Sequence, residues 1–252
     1  MAVSCGAIPE TLRPAIGNKS RFKAALQAAY IEHNWIAVDR FGDKVKLTPV
    51  MMANDDLDAW SQAIMGLGTG AELTINSAAI SLLVNPANLP DGLPLFSLSR
   101  PNIVDGGGAP SITQADKGRK LMRGNKEPSN RLRVGVAPAV ALLPTKHETA
   151  AEQLFLPRPA EVAEQASNVN VFRGKIRPVC DPMLDDYSED AWYEFANPKL
   201  HRGICVLRQT GYETGKRRKY WDEATQCLIH EYEIRFAVGV ADWRMGIKNP
   251  GQ

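Results

Sequence analysis

Cysteine is scarce and scattered in this 252-residue chain. Cys5, Cys180, Cys205 and Cys227 lie far apart, and none forms a Cys-x-x-Cys pair. That excludes a zinc ribbon and fits a reducing compartment better than a disulfide framework. His147-Glu148 and His230-Glu231 lack a second histidine four residues after the first, so no zincin helix is encoded. No G-x-S-x-G nucleophile elbow occurs either. Neither sign of charge dominates: 30 Lys and Arg stand against 28 Asp and Glu, a net charge of +2. Such a balance leaves only local clusters for contact with a polyanion. No uninterrupted apolar run reaches membrane-spanning length, and Met1 to Glu10 lacks the basic and apolar regions of a secretory signal. We therefore expect no membrane partner. The length and ordinary apolar content, 44%, support a sizeable core in one large domain or two small ones.

What is present begins with a long amphipathic segment. Leu57, Trp60, Ile64, Leu67, Ala71, Ile75, Ala78, Leu82 and Leu83 recur at three- and four-residue steps, and this spacing predicts one helix from Asp55 to Val84. Asn54 is the expected N-cap, with Asp55, Asp56 and Asp58 at the positive end of the macrodipole. Gly66, Gly68 and Gly70 predict a kink or a close neighbour. Before it, Met1 to Ser20 reads as an arm and Arg21 to Glu32 as a short helix. Strands are expected at 35–38 and 45–48, around a turn at Phe41-Gly42-Asp43-Lys44. After it come a turn-rich stretch at 85–92, a glycine break at 105–108 and a helix from Ser111 to about Arg123. A strand is expected from Arg131 to Leu143, then a Thr145-x-x-Glu148 capping box opening another helix. Residues 169–172 and 175–179 read as a hairpin about Arg173-Gly174. Strands are expected at 192–196, 204–209 and 226–243. Helices followed by a run of strands imply an α+β fold.

No stretch assembles a chemical site. Gly211-Tyr212-Glu213-Thr214-Gly215-Lys216 falls one residue short of a phosphate loop and has Arg217 where Ser or Thr must hold magnesium. The glycines at 66, 68 and 70 lie inside a helical pattern, not between a strand and a helix. Asp181, Asp185, Asp186, Glu189 and Asp190 lack the alternation and central glycine of a calcium loop, which favours a solvated loop. Lys216-Arg217-Arg218-Lys219 reads as an exposed loop between strands, or as a contact for nucleic acid phosphates or the carboxylates of an adjacent subunit. No catalytic, cofactor-binding or metal-binding residue is assigned.

In order along the chain stand Met52-Ala53-Asn54-Asp55-Asp56-Leu57-Asp58-Ala59-Trp60 through Leu83, then Asn85-Pro86, Asp91-Gly92, Leu95-Phe96 and Asn102. Leu132 to Leu154 follows, with Leu142-Leu143-Pro144 and Glu148-Thr149-Ala150-Ala151-Glu152-Gln153-Leu154. The last block is Asn168 to Arg244. It holds Asn168-Val169-Asn170-Val171-Phe172, Asp181-Pro182-Met183-Leu184-Asp185-Asp186, Ala191-Trp192-Tyr193-Glu194-Phe195-Ala196 and Val238-Gly239-Val240-Ala241-Asp242-Trp243-Arg244. Over about four fifths of its length the chain resembles the major capsid proteins of tailed bacteriophages. The likeness is greatest to the capsid half of prohead-protease/major-capsid fusion proteins and to the Mu-type major head subunit.

The resemblance implies a phage major capsid fold: a long spine helix, a peripheral domain and an axial domain, each with a mostly antiparallel sheet. It places an N-terminal arm at 1–34, a shortened extended loop at 35–54, the peripheral domain at 55–110 and 201–252, and the axial domain at 111–200. It implies a structural protein that converts no substrate and self-assembles, as pentamers and hexamers, into an icosahedral shell around packaged DNA. Further candidate partners are a scaffold and a prohead protease. The expected location is the virion capsid, and the host cytoplasm during assembly. The arm and extended loop are shorter than the family's, Thr48-Pro49 replaces an expected Thr-Arg, and from Met1 a separately encoded or engineered start is expected. Rival readings stand beside this one; besides the two that follow, the short arm suggests a degenerate prophage remnant that folds but cannot assemble. The first is a nanocompartment shell of the same fold carrying protein cargo. The second is an α+β enzyme with a loop-built site around His147, Asp181 and His201.

Overall fold

The computed structural model describes residues 2–4, 35–54, 57–85, 89, 92–127, 132–157 and 170–251. Residues 2–4 of the expected arm form a strand paired antiparallel with 35–37; the rest of the arm, the helix at 21–32 and Cys5 lie outside these residues. So do Asp55 and Asp56, parts of the turn at 85–92, and Val169. The strands are β1 (Ala2–Ser4), β2 (Trp35–Ala37), β3 (Asp39–Leu47), β4 (Pro138–Leu143), β5 (Arg177–Cys180), β6 (Trp192–Ala196), β7 (Ile204–Arg208), β8 (Lys216–Asp222), β9 (Cys227–Val240) and β10 (Gly246–Asn249). The helices are α1 (Pro49–Ala53), α2 (Leu57–Val84), α3 (Ile112–Gly124) and α4 (Glu148–Phe155). Helix and sheet are mixed in the expected α+β manner. The fold divides into two compact units, one holding 35–82 and 205–239, the other 83–204 and 240–252.

In the first unit β9 is the central strand. It pairs antiparallel with β3 along one edge and with β8 along the other, and β7 continues the sheet beside it. Side chains alternate across a strand, so the even-numbered residues of β9 share one face. That face meets α2: Ile234 and Phe236 pack with Ala71 and Ile75 of the helix. Full burial of an Ile or Phe side chain contributes about 2–3 kcal/mol. Phe41 stacks on Phe236 at 4.6 Å, and Trp60 meets His230 edge-on at 4.7 Å.

Three expectations change in this unit. No turn forms at 41–44, because β3 runs through it in register with β9 from Asp39↔Phe236 to Leu47↔Leu228. Nine residues of ladder outweigh the local turn preference of Gly42-Asp43. Asn54 is the C-cap of α1, its N–H donating to the Val50 carbonyl, while Thr48 caps the start of α1 through the Met51 N–H. Finally, α2 runs on as one helix through Gly66, Gly68 and Gly70, and no heavy atom beyond the helix's own backbone lies within 4 Å of a Cβ at any of them. The close neighbour expected there is not found among the described residues.

The second unit is a sheet of order β10-β6-β4-β5, antiparallel except for the parallel pair β4 and β5. That parallel pairing replaces the expected hairpin about Arg173-Gly174, where residues 171–175 form turns instead. Of the strand expected from 131 to 143, only 138–143 joins the sheet among the described residues. Ser111 caps α3 as expected, accepting the Gln114 N–H at 3.3 Å. The Thr145 capping box does not form. Residues 145–147 make a 3-10 turn, Thr145 bonds to the Asp185 carboxylate, and His147 takes the cap position of α4 without a side-chain bond.

Trp192, Leu143, Phe155 and Phe172 lead one core cluster, and Met122, Ile247 and Ala196 another. The Trp192 indole donates to the Gly108 carbonyl at 3.0 Å, and Asn249 accepts the Gly108 N–H at 3.0 Å. Gly107 beside them admits no side chain, since a Cβ there would stand 2.6 Å from Pro250.

Candidate functional site

The long helix presents its chemistry as a surface. Trp60–Val84 is long and apolar enough to cross a membrane, yet only 17% of its most apolar stretch is buried within the chain. Sequence scanning finds no uninterrupted run because Ser61, Gln62, Thr69, Glu72, Thr74, Asn76 and Ser77 punctuate it. Met65 and Leu73 are 67% and 50% exposed. Trp60, Ile64 and Leu67, which the periodicity assigns to the inner face, are only half-buried. A helix apolar around most of its circumference ordinarily belongs to an interior. Beside it runs a groove of about 520 Å³ between α2 and β3, lined by Phe41, Val45, Leu67 and Ala71, with Gly66 and Gly70 opening its wall.

The opposite face of the same sheet is charged. Lys216 to Lys219 is a strand, β8, and not the loop expected, because it pairs with β9 from Lys216↔Glu233 to Asp222↔Cys227. Pairing splits the run. Lys216 and Arg218 stand level with Glu233 and Glu231, away from α2, while Arg217 and Lys219 stand level with Tyr232 and His230. From β3, Arg40 reaches Glu233 at 2.9 Å and Glu231 at 3.5 Å, and Lys44 reaches Glu231 at 4.0 Å. Arg235 binds Glu233 at 2.5 Å. Burial works to raise the Glu233 carboxyl, but Arg235, Arg40 and Arg218 outweigh it and hold it below its ordinary value. The His230 ring is pushed down, first by burial, then by Lys219 and Arg217.

The acidic segment 181–190 acts structurally. Asp181 caps the turn at Pro182–Leu184 through the Met183 N–H at 3.0 Å. Asp185 accepts the Thr145 N–H at 2.9 Å. Asp190 pairs with Lys146 at 2.6 Å, and that bond holds its carboxyl below the usual range. His147 is buried with Nε2 3.2 Å from the Asp190 carbonyl. His201 closes the turn after β6, its N–H donating to Asn197. Among the described residues no group of His, Cys, Asp or Glu is placed to hold a metal ion. Burial first, then Glu148 and Asp185, raises the Cys180 thiol, which lowers its nucleophilic fraction.

One buried group escaped the sequence reading. Glu194 of β6 is 2% exposed, faces α3 at Gly118, and neither carboxylate oxygen has a hydrogen-bond partner among the described residues. Burial pushes its carboxyl up to about 8. The only sequence signal was its place between Tyr193 and Phe195.

A family model described as phage capsid protein matches residues 34–249. The chain is similar in structure to the capsid of Ralstonia phage GP4, at 11% identity and TM-score 0.56, covering 88% of this chain and 75% of that one. It is similar to a phage-related protein from Bordetella bronchiseptica RB50, at 10% identity and TM-score 0.55, covering 86% and 75%. It is also similar to the capsid of cyanophage P-SCSP1u, at 12% identity and TM-score 0.54, covering 88% and 75%. At these identities the likeness is one of fold. No curated protein matches.

Proposed function

The chain belongs to the phage capsid protein family, and on that premise we propose that it is the subunit of an icosahedral shell of pentamers and hexamers enclosing packaged DNA. One observation carries the reading: α2 is apolar along its length yet mostly unburied in its own subunit. Exposed apolar surface of this extent is removed from water by copies of the same chain in a closed symmetric assembly. We assign 55–110 and 201–252 to a peripheral domain, 111–200 to an axial domain, 1–34 to an arm and 35–54 to a short extended loop. Kinship to the capsid half of protease fusions and to the Mu-type head subunit belongs to the same proposal. So do a purely structural role without catalysis, help from a scaffold or a prohead protease, and assembly in the host cytoplasm.

Electron microscopy of the purified protein tests this. Closed particles with a nucleic-acid absorbance ratio are expected when it is produced with the packaging genes of its phage. Particles that hold only protein cargo would favour a nanocompartment. A small oligomer that never forms shells under any of these conditions overturns the proposal.

A further inference from the structure

We propose that the sheet face turned away from α2 docks the phosphate backbone of DNA, a step that rests on the reading that this chain encloses a genome. The register sets two rows of cations on that face: Arg40, Lys44 and Lys46 along β3, and Lys216 and Arg218 along β8. Same-face neighbours on a strand stand about 6.8 Å apart, and rows two strands apart stand roughly 9.5 Å apart. Between the rows lie Glu231 and Glu233.

The relief of the face decides its polarity. The Arg40 and Lys44 side chains are 59% and 49% exposed, whereas those of Glu231 and Glu233 are 10% and 0% exposed. The carboxylates form the floor and the cations stand in solvent. An approaching polyanion meets positive charge first and releases counterions as it binds.

The composition separates DNA from a protein partner. Centres of protein–protein interfaces are depleted of lysine and of charge, while DNA interfaces are polar and strongly positive. Here the exposed side chains are cations, with one aromatic among them, Tyr220, which accepts a hydrogen bond from Lys44 at 3.2 Å. Phosphate contacts carry no base information, so binding is expected to be independent of sequence. The rival account is that charge on β3 and β8 deters edge-to-edge pairing of sheets. It predicts no DNA affinity from either face of β8.

Because β8 alternates, it supplies its own control. Lys216→Glu with Arg218→Glu reverses the proposed face. Arg217→Glu with Lys219→Glu makes the same change in net charge on the helix side. Anisotropy of a short random-sequence duplex, titrated with the full chain across a range of salt, reads both. The first pair is expected to weaken binding about tenfold or more and to lower the salt slope by about two; the second is expected to leave both within about twofold. Lys46→Gln with Arg218→Gln is expected to give the same direction of loss without reversing charge, and circular dichroism checks that each variant folds. Equal effects of the two reversed pairs, or none, overturn the proposal. So does a loss of particles with unchanged DNA affinity, which would assign the face to an acidic protein neighbour. Failure of the shell reading would appear separately, as absence of particles from the unaltered protein.

Discussion

Glu194 shows how one side chain links packing to pH. It sits on β6 between Trp192 and Ala196, level with Ala141 of β4 and Ile247 of β10, and under Gly118 of α3. These neighbours are apolar, and on α3 Asp116 pairs with Arg119 and Lys120 while Lys117 donates to the Asp105 and Gly106 carbonyls. Burial raises the folded carboxyl to about 8 from an ordinary 4.5. Below the ordinary value both folded and unfolded chains hold the proton. Between it and about 8 only the folded chain does, so stability falls as pH rises through that window and levels off above it. The total is on the order of several kcal/mol. Glu194→Gln is expected to flatten this dependence and to raise Tm at pH 8, read by thermal unfolding across pH; a variant less stable at every pH would show that the carboxylate has a partner. Gly118→Ala is expected to cost about 1–3 kcal/mol, since a Cβ there overlaps Glu194 Oε2. None of this is legible in Tyr193-Glu194-Phe195. Alternation marks Glu194 as facing opposite to its neighbours, and only the arrival of α3 makes that face an interior.

At the scale of elements, α2 was readable from spacing alone, and so were Ser111 as the cap of α3 and the long strand β9. Two of the three failures share a cause. Asn54, the Gly42-Asp43 turn and the Thr145 box each carry sound local chemistry; Asn54 closes the short helix before it through the Val50 carbonyl, and the other two yield to a partner distant in sequence. β9 draws β3 straight, and Asp185 takes the Thr145 hydroxyl. The glycines of α2 offer a direct test, because no heavy atom beyond the helix's own backbone lies within 4 Å of a Cβ at Gly66, Gly68 or Gly70. Alanine at Gly68 is expected to stabilise the subunit by about 1 kcal/mol, measured by denaturant unfolding. A loss of stability there would mean that the helix needs the backbone freedom of glycine at that turn.

For the whole molecule, the exposed apolar surface of α2 is expected to serve the assembly and not the fold. Met65→Asp with Leu73→Asp is expected to leave the circular dichroism spectrum of the subunit intact while abolishing large particles in size-exclusion chromatography. Unfolding of the variant would place both side chains in the subunit's own core. The amino-acid sequence by itself determined the α+β class and the long helix ending at Val84, because those follow from periodicity and short-range spacing, and it carried the resemblance to capsid proteins in the order of its motif blocks. Tertiary structure decided which side chains share each surface. It set which half of the Lys216 to Lys219 run joins Arg40 and Lys44, which carboxylates lie beneath them, and where Glu194 is sealed, because strand register and helix docking depend on contacts between residues far apart in the chain, as with Lys44 and Tyr220, 176 residues distant.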